Sequence, residues 1–162
     1  MAIIGTRIDG RLIHGQVANL WTTKLNITRI MVIDDEVAQN DIEKSGLKLA
    51  CPAGVKLSIL PVEKAANNIL AGKYDSQRLL IVARYPDRFL RLVEYGVPLK
   101  ELNVGNMSQT PETRQVTRSI NVVDKDIEAF EALDAKGVHV YAQMVPGDTA
   151  KDFMPLLAKV KK

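Results

Sequence analysis

Apolar residues along this chain fall into short runs, separated by stretches with helical spacing. Runs at residues 3–8, 29–33, 55–60, 79–83, 102–104, 116–122 and 138–144 are largely continuous, and several are rich in Val and Ile. Little alternation between apolar and polar positions marks strands covered on both faces, as in parallel sheets. Within residues 16–25, by contrast, Val17, Leu20, Trp21 and Leu25 fall near one helical face. Residues 62–70 follow Pro61 and end near Gly72, while 87–95 turn Phe89, Leu90 and Val93 inward and stop at Gly96. Asp124 or Asp126 caps a helix over 127–135 that ends at Gly137. A last helix covers 149–161, with Pro155 close enough to its start to be tolerated. This alternation predicts an α/β fold: an open, mostly parallel sheet of about seven strands with helices on both faces. No repeat or linker divides the chain, so residues 1–162 read as a single domain.

Composition narrows the chemistry. Apolar residues make up 46% of the chain, enough for a full core, but aromatics only 5%, so that core is aliphatic. The net charge is a mild +3, without a basic tract interleaved with aromatics, which argues against nucleic-acid binding. Lys159, Lys161 and Lys162 suit the end of a helix, where cations meet the dipole. Cys51 is the sole cysteine, so no intramolecular disulfide forms; beside Pro52 it reads as a small buried residue. With two histidines and one cysteine no zinc site is expected, and no metal or organic cofactor is implied. No apolar stretch approaches the roughly 18 residues that span a bilayer. Residues 2–4 are too short for a secretory signal, which gives a cytosolic expectation.

Residues 7–17 read R-I-D-G-R-L-I-H-G-Q-V, straddling a predicted strand end and helix start. Ligands gather beyond the carboxyl ends of strands in open α/β sheets. A helix N-terminus there offers free N–H groups and a positive dipole end to a phosphoryl group. His14 supplies a nucleophile near neutral pH. Arg11, three residues earlier, presents a fork of donors matched to phosphoryl oxygens. Asp9 orients an imidazole or an arginine, and Gly10 and Gly15 permit tight turns. Taken singly, each of these residues reads more readily as a cap, a packing residue or a surface ion pair. Their order and density point to phosphoryl chemistry on His14.

Other positions compete. Asp34 and Asp35 after the second run match the acid pair of a receiver-like phosphoaspartate switch. That rival needs a further Asp and a Lys at later strand ends, where this chain has Arg84-Tyr85-Pro86. The ordinary reading makes one of the pair a helix cap. Arg84 contacts a phosphate or donor protein, or else forms a surface ion pair. Residues 102–115 read as a long polar loop, in which Asn103, Asn106, Met107 and Ser108 either donate to phosphoryl oxygens or satisfy loop backbone. His139, inside an apolar run, reads as structural. No nucleotide-binding or serine-hydrolase motif is present.

The 7–17 motif followed by Trp21 resembles the signature of the enzyme IIB component of the mannose/fructose/sorbose class of bacterial phosphoenolpyruvate-dependent sugar phosphotransferase systems. The resemblance continues through I-D-D-E-V-A (33–38), A-C-P-A-G-V (50–55), L-N-V-G-N-M (102–107) and V-D-K-D-I-E-A-F-E-A-L (123–133). It implies that His14 takes phosphoryl on its pros nitrogen from a phosphorylated IIA protein. The phosphoryl then passes to a sugar held by the membrane IIC/IID permease subunits, with Arg11 aiding transfer. Asp9, Gly15, Gln16, Asn106 and Ser108 are the supporting residues around it. It further implies a largely parallel α/β sheet, a homodimer, and a cytoplasmic chain tied to the membrane through the permease. A fairly flat, exposed His14 surface with a basic rim from Arg7 and Arg11 follows, since two large partners must reach it in turn. Gly10 stands where the family often has an acid, and Asn106 where it often has glycine. Mannose, fructose, sorbose and N-acetylgalactosamine are all compatible, and residues 102–107 and 142–146 lean toward an amino sugar. A non-catalytic regulatory module using the same surface is the third class of function.

Overall fold

The computed structural model describes residues 2–161. The strands are β1 (Ile3–Asp9), β2 (Arg29–Ile33), β3 (Lys56–Leu60), β4 (Leu79–Ala83), β5 (Glu101–Asn106), β6 (Arg114–Thr117), β7 (Ile120–Val122), β8 (His139–Ala142) and β9 (Lys151–Asp152). Seven of them form one sheet in the order β3-β2-β4-β1-β5-β8-β9, parallel except for β9 at one edge. The sequence predicts such a sheet, and all five residues of β4 are buried, as its unbroken apolar run requires.

Two cores flank the sheet. On one face, α1 (Gly15–Leu25), a 3₁₀ turn (Val37–Gln39) and α2 (Asp41–Ala50) pack Trp21, Val37 and Leu47 against Ile30, Val32, Leu80 and Val82. On the other face lie α3 (Val62–Leu70), α4 (Pro86–Glu94), α5 (Asp124–Ala135) and α6 (Phe153–Ala158). There Phe89, Phe130 and Phe153 are fully buried, each stabilising the fold by roughly 1.5–3 kcal/mol relative to exposure. The chain therefore leaves β1 toward one face and its neighbour β4 toward the other. The crevice between them, at the carboxyl edge, is the topological switch point where open α/β sheets take ligands.

Local chemistry sets the helix ends. Asn26 adopts φ 55° and closes α1, its N–H reaching the Thr22 and Thr23 carbonyls. Asn40 Oδ1 accepts from the Glu43 N–H at the start of α2. Pro61 cannot cap α3 with a side chain, and Asp35 Oδ1 does so from a neighbouring loop, 2.9 Å from the Val62 nitrogen.

Several expectations are corrected. The run 116–122 is not a strand of the sheet: it turns at Arg118 and Ser119, and β6 and β7 form a separate antiparallel hairpin. The seventh strand is instead β9, whose pairing with Tyr141 and Ala142 delays the last helix to Phe153–Ala158. Helix α2 is missed by the apolar pattern, because of its large apolar residues only Leu47 is buried. Cys51 is half-buried, and desolvation raises its thiol pKa. His139 lies on an exposed edge, its Nε2 2.8 Å from Asp152 Oδ1, so its structural role is a surface hydrogen bond. Lys162 lies outside the described residues.

The Val62 N–H, with Arg91 also bonded to it, holds the Asp35 carboxyl below its usual range. A depressed folded pKa adds stability above the unfolded value, near 4, that is lost as pH falls through the folded one. Asp35→Ala should therefore cost about 1 kcal/mol in urea unfolding at pH 7. The gap to the parent should narrow below about pH 4; a gap independent of pH would remove the charge of Asp35 from the cap.

Candidate active site

Alternation along β1 puts Arg7 and Asp9 on the same side of the sheet, beneath α1. Both are buried, at 4% and 1% exposure. Arg7 Nη2 lies 3.3 Å from Asp9 Oδ2, and Nη1 donates to the Gln143 carbonyl at 3.0 Å. The guanidinium sits 5.4 Å from the Trp21 ring, and Trp21 Nε1 donates to the Met144 carbonyl. Burial pushes the Arg7 pKa down and the Asp9 charge pulls it back. Space for the guanidinium comes from Gly105, where a Cβ would fall 2.1 Å from Nη2.

Asp9 passes this order into the following turn. Its Oδ1 accepts from the Arg11 backbone N–H at 2.9 Å and lies 3.4 Å from Arg11 Nε. Leu12 takes the left-handed φ of 61°, a strain of about 1–3 kcal/mol for a non-glycine residue. Leu12 and Ile13 are buried in the α1-side core, so the strained turn is anchored and Arg11 and His14 are turned outward. His14 is exposed at the N-cap of α1 and makes no side-chain capping bond. Gly15 and Gln16 are also exposed, and the first turn of α1 carries no acidic residue to oppose an anion.

Gly10 is held from both sides of the switch point. Its N–H donates to the Asn106 carbonyl at 2.9 Å, and its carbonyl accepts from Arg84 Nε at 3.0 Å. A Cβ on Gly10 would lie 2.7 Å from Ser108 Oγ and 3.1 Å from Asn106 Oδ1. The structure thus brings Asp9, Arg11, His14, Gly15 and Gln16 onto one turn, with Asn106 and Ser108 meeting it at Gly10. A cleft of about 400 Å³ beside Gly10 is lined by Arg84, Tyr85, Arg88, Ser108 and Lys125 among others, but not by His14.

Other readings change. Arg7 is no part of a basic rim, because its charge is buried. Asn103 is not a loop donor: it is buried in β5 beside Arg7, and its Oδ1 has no partner. Met107 is buried just after β5. Arg84 forms no ion pair among the described residues; it binds the Gly10 carbonyl. Asp34 caps the 3₁₀ turn through the Glu36 and Val37 N–H groups and pairs with Arg88. Asp35 caps α3, so both acids of the receiver-like rival are engaged, and no acidic metal cluster occurs among the described residues. The roles of Gly105 and the Gln143 and Met144 carbonyls carry no signal in the sequence. Arg7 burial has one, the strand alternation that pairs it with Asp9. Gly105→Ala should expel the Arg7 guanidinium and destabilise the protein by roughly 3 kcal/mol, the loss typical of a broken buried pair. An unchanged urea midpoint would mean that Arg7 has room to move.

Comparison with known proteins agrees with this architecture. A family model described as the PTS system sorbose subfamily IIB component matches residues 3–162. The chain is 36% identical over 162 residues to the fructose-specific EIIB component of Bacillus subtilis, covering 100% of this chain and 99% of that one. It is 38% identical over 161 residues to the mannose-specific EIIAB component of Escherichia coli K12, covering 99% of this chain and 50% of the relative. An N-acetylgalactosamine-specific IIB component of E. coli K12 is 35% identical over 155 residues, covering 96% of this chain and 98% of the relative, so identity does not favour an amino sugar. The crystal structure of the IIBSor domain of the Klebsiella pneumoniae sorbose permease superimposes with a TM-score of 0.94, at 30% identity and 99% coverage of both chains. The chain belongs to the sorbose-subfamily IIB components of the phosphotransferase system, phosphocarriers that work through phosphohistidine in sugar uptake.

Proposed function

We propose that His14 is the phosphohistidine of this IIB component and that Arg11 is its charge-neutralising partner. The observation that carries this reading is a free, exposed imidazole at a helix N-terminus, three residues after an arginine anchored by a buried carboxylate. IIB components work with IIA and with IIC/IID permease subunits. In the first step the pros nitrogen of His14 attacks the phosphorus of phosphorylated IIA. A new N–P bond forms as the donor N–P bond breaks. In the second step the oxygen of a sugar hydroxyl, held by the permease, attacks the same phosphorus; the O–P bond forms, the His14 N–P bond breaks with its electron pair returning to the pros nitrogen, and the hydroxyl proton passes to the released imidazole or to solvent.

The transition state of such transfers is loose, with charge spread over three equatorial oxygens, so positioning and neutralisation dominate. Arg11 presents its guanidinium to those oxygens. The N–H groups opening α1, at Gly15 and Gln16, and the positive end of the helix add to it. Asp9 limits the freedom of Arg11 before the partner arrives, which lowers the entropy lost on reaching the transition state. Asn106 and Ser108 shape the Gly10 side of the turn. Arg11, exposed where Arg7 is buried, supplies the basic rim that steers acidic partner surfaces. The whole chain acts as one IIB domain, as a homodimer at the cytoplasmic side of the permease. No helix among the described residues is long and apolar enough to cross a membrane.

Labelled phosphoryl from phospho-IIA should enter the protein in an acid-labile, alkali-stable form and be absent from His14→Ala. Label retained by His14→Ala, or lost in alkali, would rule His14 out. Arg11→Ala should slow onward transfer to sugar about 100-fold, the scale of losing one transition-state donor, with an unfolding midpoint near the parent value. Parent-like transfer would remove Arg11 from the mechanism.

A further inference from the structure

Helix α2 carries a second apolar face that nothing among the described residues covers. Leu47 points into the α1-side core, whereas Ile42 and Leu49 are 85% and 89% exposed. Positions 42, 45, 46 and 49 follow the i, i+3, i+4, i+7 spacing of one helical stripe. Between the two large residues lie Ser45 and Gly46, both exposed, and a Cβ on Gly46 would meet nothing within 4 Å. Isolated exposed aliphatics are ordinary, but two nearly bare ones aligned on a single helix mark a contact surface.

We propose that this stripe packs antiparallel on α2 of a second copy, about a two-fold axis passing between Ser45 and Gly46. The inference rests on the homodimer proposed above and assigns its surface. The stripe reads large, small, small, large in both directions, so an antiparallel arrangement lays Ile42 on the partner's Leu49, and the reverse. Small residues at the centre let two helix axes approach to about 8 Å. Charge selects the same arrangement. Asp41 and Lys48 are exposed on one flank of the stripe, and the two-fold sets Asp41 beside the partner's Lys48 twice. A parallel pair would instead place the two Asp41 and Lys48 flanks on opposite sides and form neither contact. The helix connects β2 to β3, which lie on the far side of β4 from β1, so pairing there leaves His14 open to its partners.

One helix pair is at the small end of specific interfaces, so the association is expected to be weak. The test is sedimentation equilibrium of the full chain from about 5 µM to about 1 mM, with phosphorylation by phospho-IIA measured alongside. The parent should dimerise across that range. Ile42→Asp/Leu49→Asp should stay monomeric at the highest concentration, with a parent-like circular dichroism spectrum and parent-like phosphorylation. Asp41→Lys should weaken association at least several-fold, and adding Lys48→Asp should restore it. A dimer that survives in Ile42→Asp/Leu49→Asp overturns the surface but leaves self-association standing. A parent monomeric throughout overturns both. A monomeric parent whose double variant is phosphorylated normally, yet fails to phosphorylate sugar in permease vesicles, gives the face to the permease instead.

Discussion

A single buried ion pair, Arg7 with Asp9, organises the carboxyl edge of this sheet. Withdrawing two charges from water costs several kcal/mol per ion, and Coulomb attraction offsets this only when the remaining donors and acceptors are also satisfied. Here they are. Arg7 donates to the Gln143 carbonyl and lies near the Trp21 ring, while the other oxygen of Asp9 accepts from the Arg11 backbone N–H. Each satisfying group belongs to a different part of the chain: the β8 exit, helix α1 and the turn that follows β1. The pair thus fastens the helix carrying His14 to the strand preceding it. It also gives Arg11 a fixed base while leaving its guanidinium at the surface.

At the same edge, Gly10, Asn106 and Ser108 share one small space. The resemblance to the family implies an acid more often at the position of Gly10 and a glycine at that of Asn106. In this chain a Cβ on Gly10 would approach Asn106 Oδ1 to 3.1 Å and Ser108 Oγ to 2.7 Å. A side chain from either position takes the same space beside the turn. Losing it at one strand end and gaining it at the next keeps the site filled, and replaces a carboxylate with a neutral amide. With less negative charge beside the turn, the phosphoryl dianion proposed on His14 would meet less repulsion.

What was legible in the sequence follows from how local each signal is. Continuous apolar runs identify β1 to β5 because parallel strands bury both faces, and the 7–17 motif is contiguous, so its chemistry survives without coordinates. The run 116–122 misleads because the same apolar composition serves a hairpin packed on the larger core. Helix α2 hides because its exposed aliphatics break the expected one-sided pattern. The burial of Arg7 depends on Gly105 and on the strap at Gln143 and Met144, brought together only by the β1–β5–β8 pairing. Such long-range contacts leave no mark at the residues that make them.

One imidazole, placed by the Arg7–Asp9 pair, is proposed to carry the phosphoryl group. The chain has two histidines, His14 and His139, which makes nitrogen NMR of the 15N-histidine-labelled protein decisive. After phosphorylation by phospho-IIA, observed at alkaline pH, the account predicts a shift of the His14 pros nitrogen with phosphorus coupling, and unmoved His139 resonances. Phosphorus coupling at His139, or phosphoryl retained with both imidazoles unmodified, would contradict it.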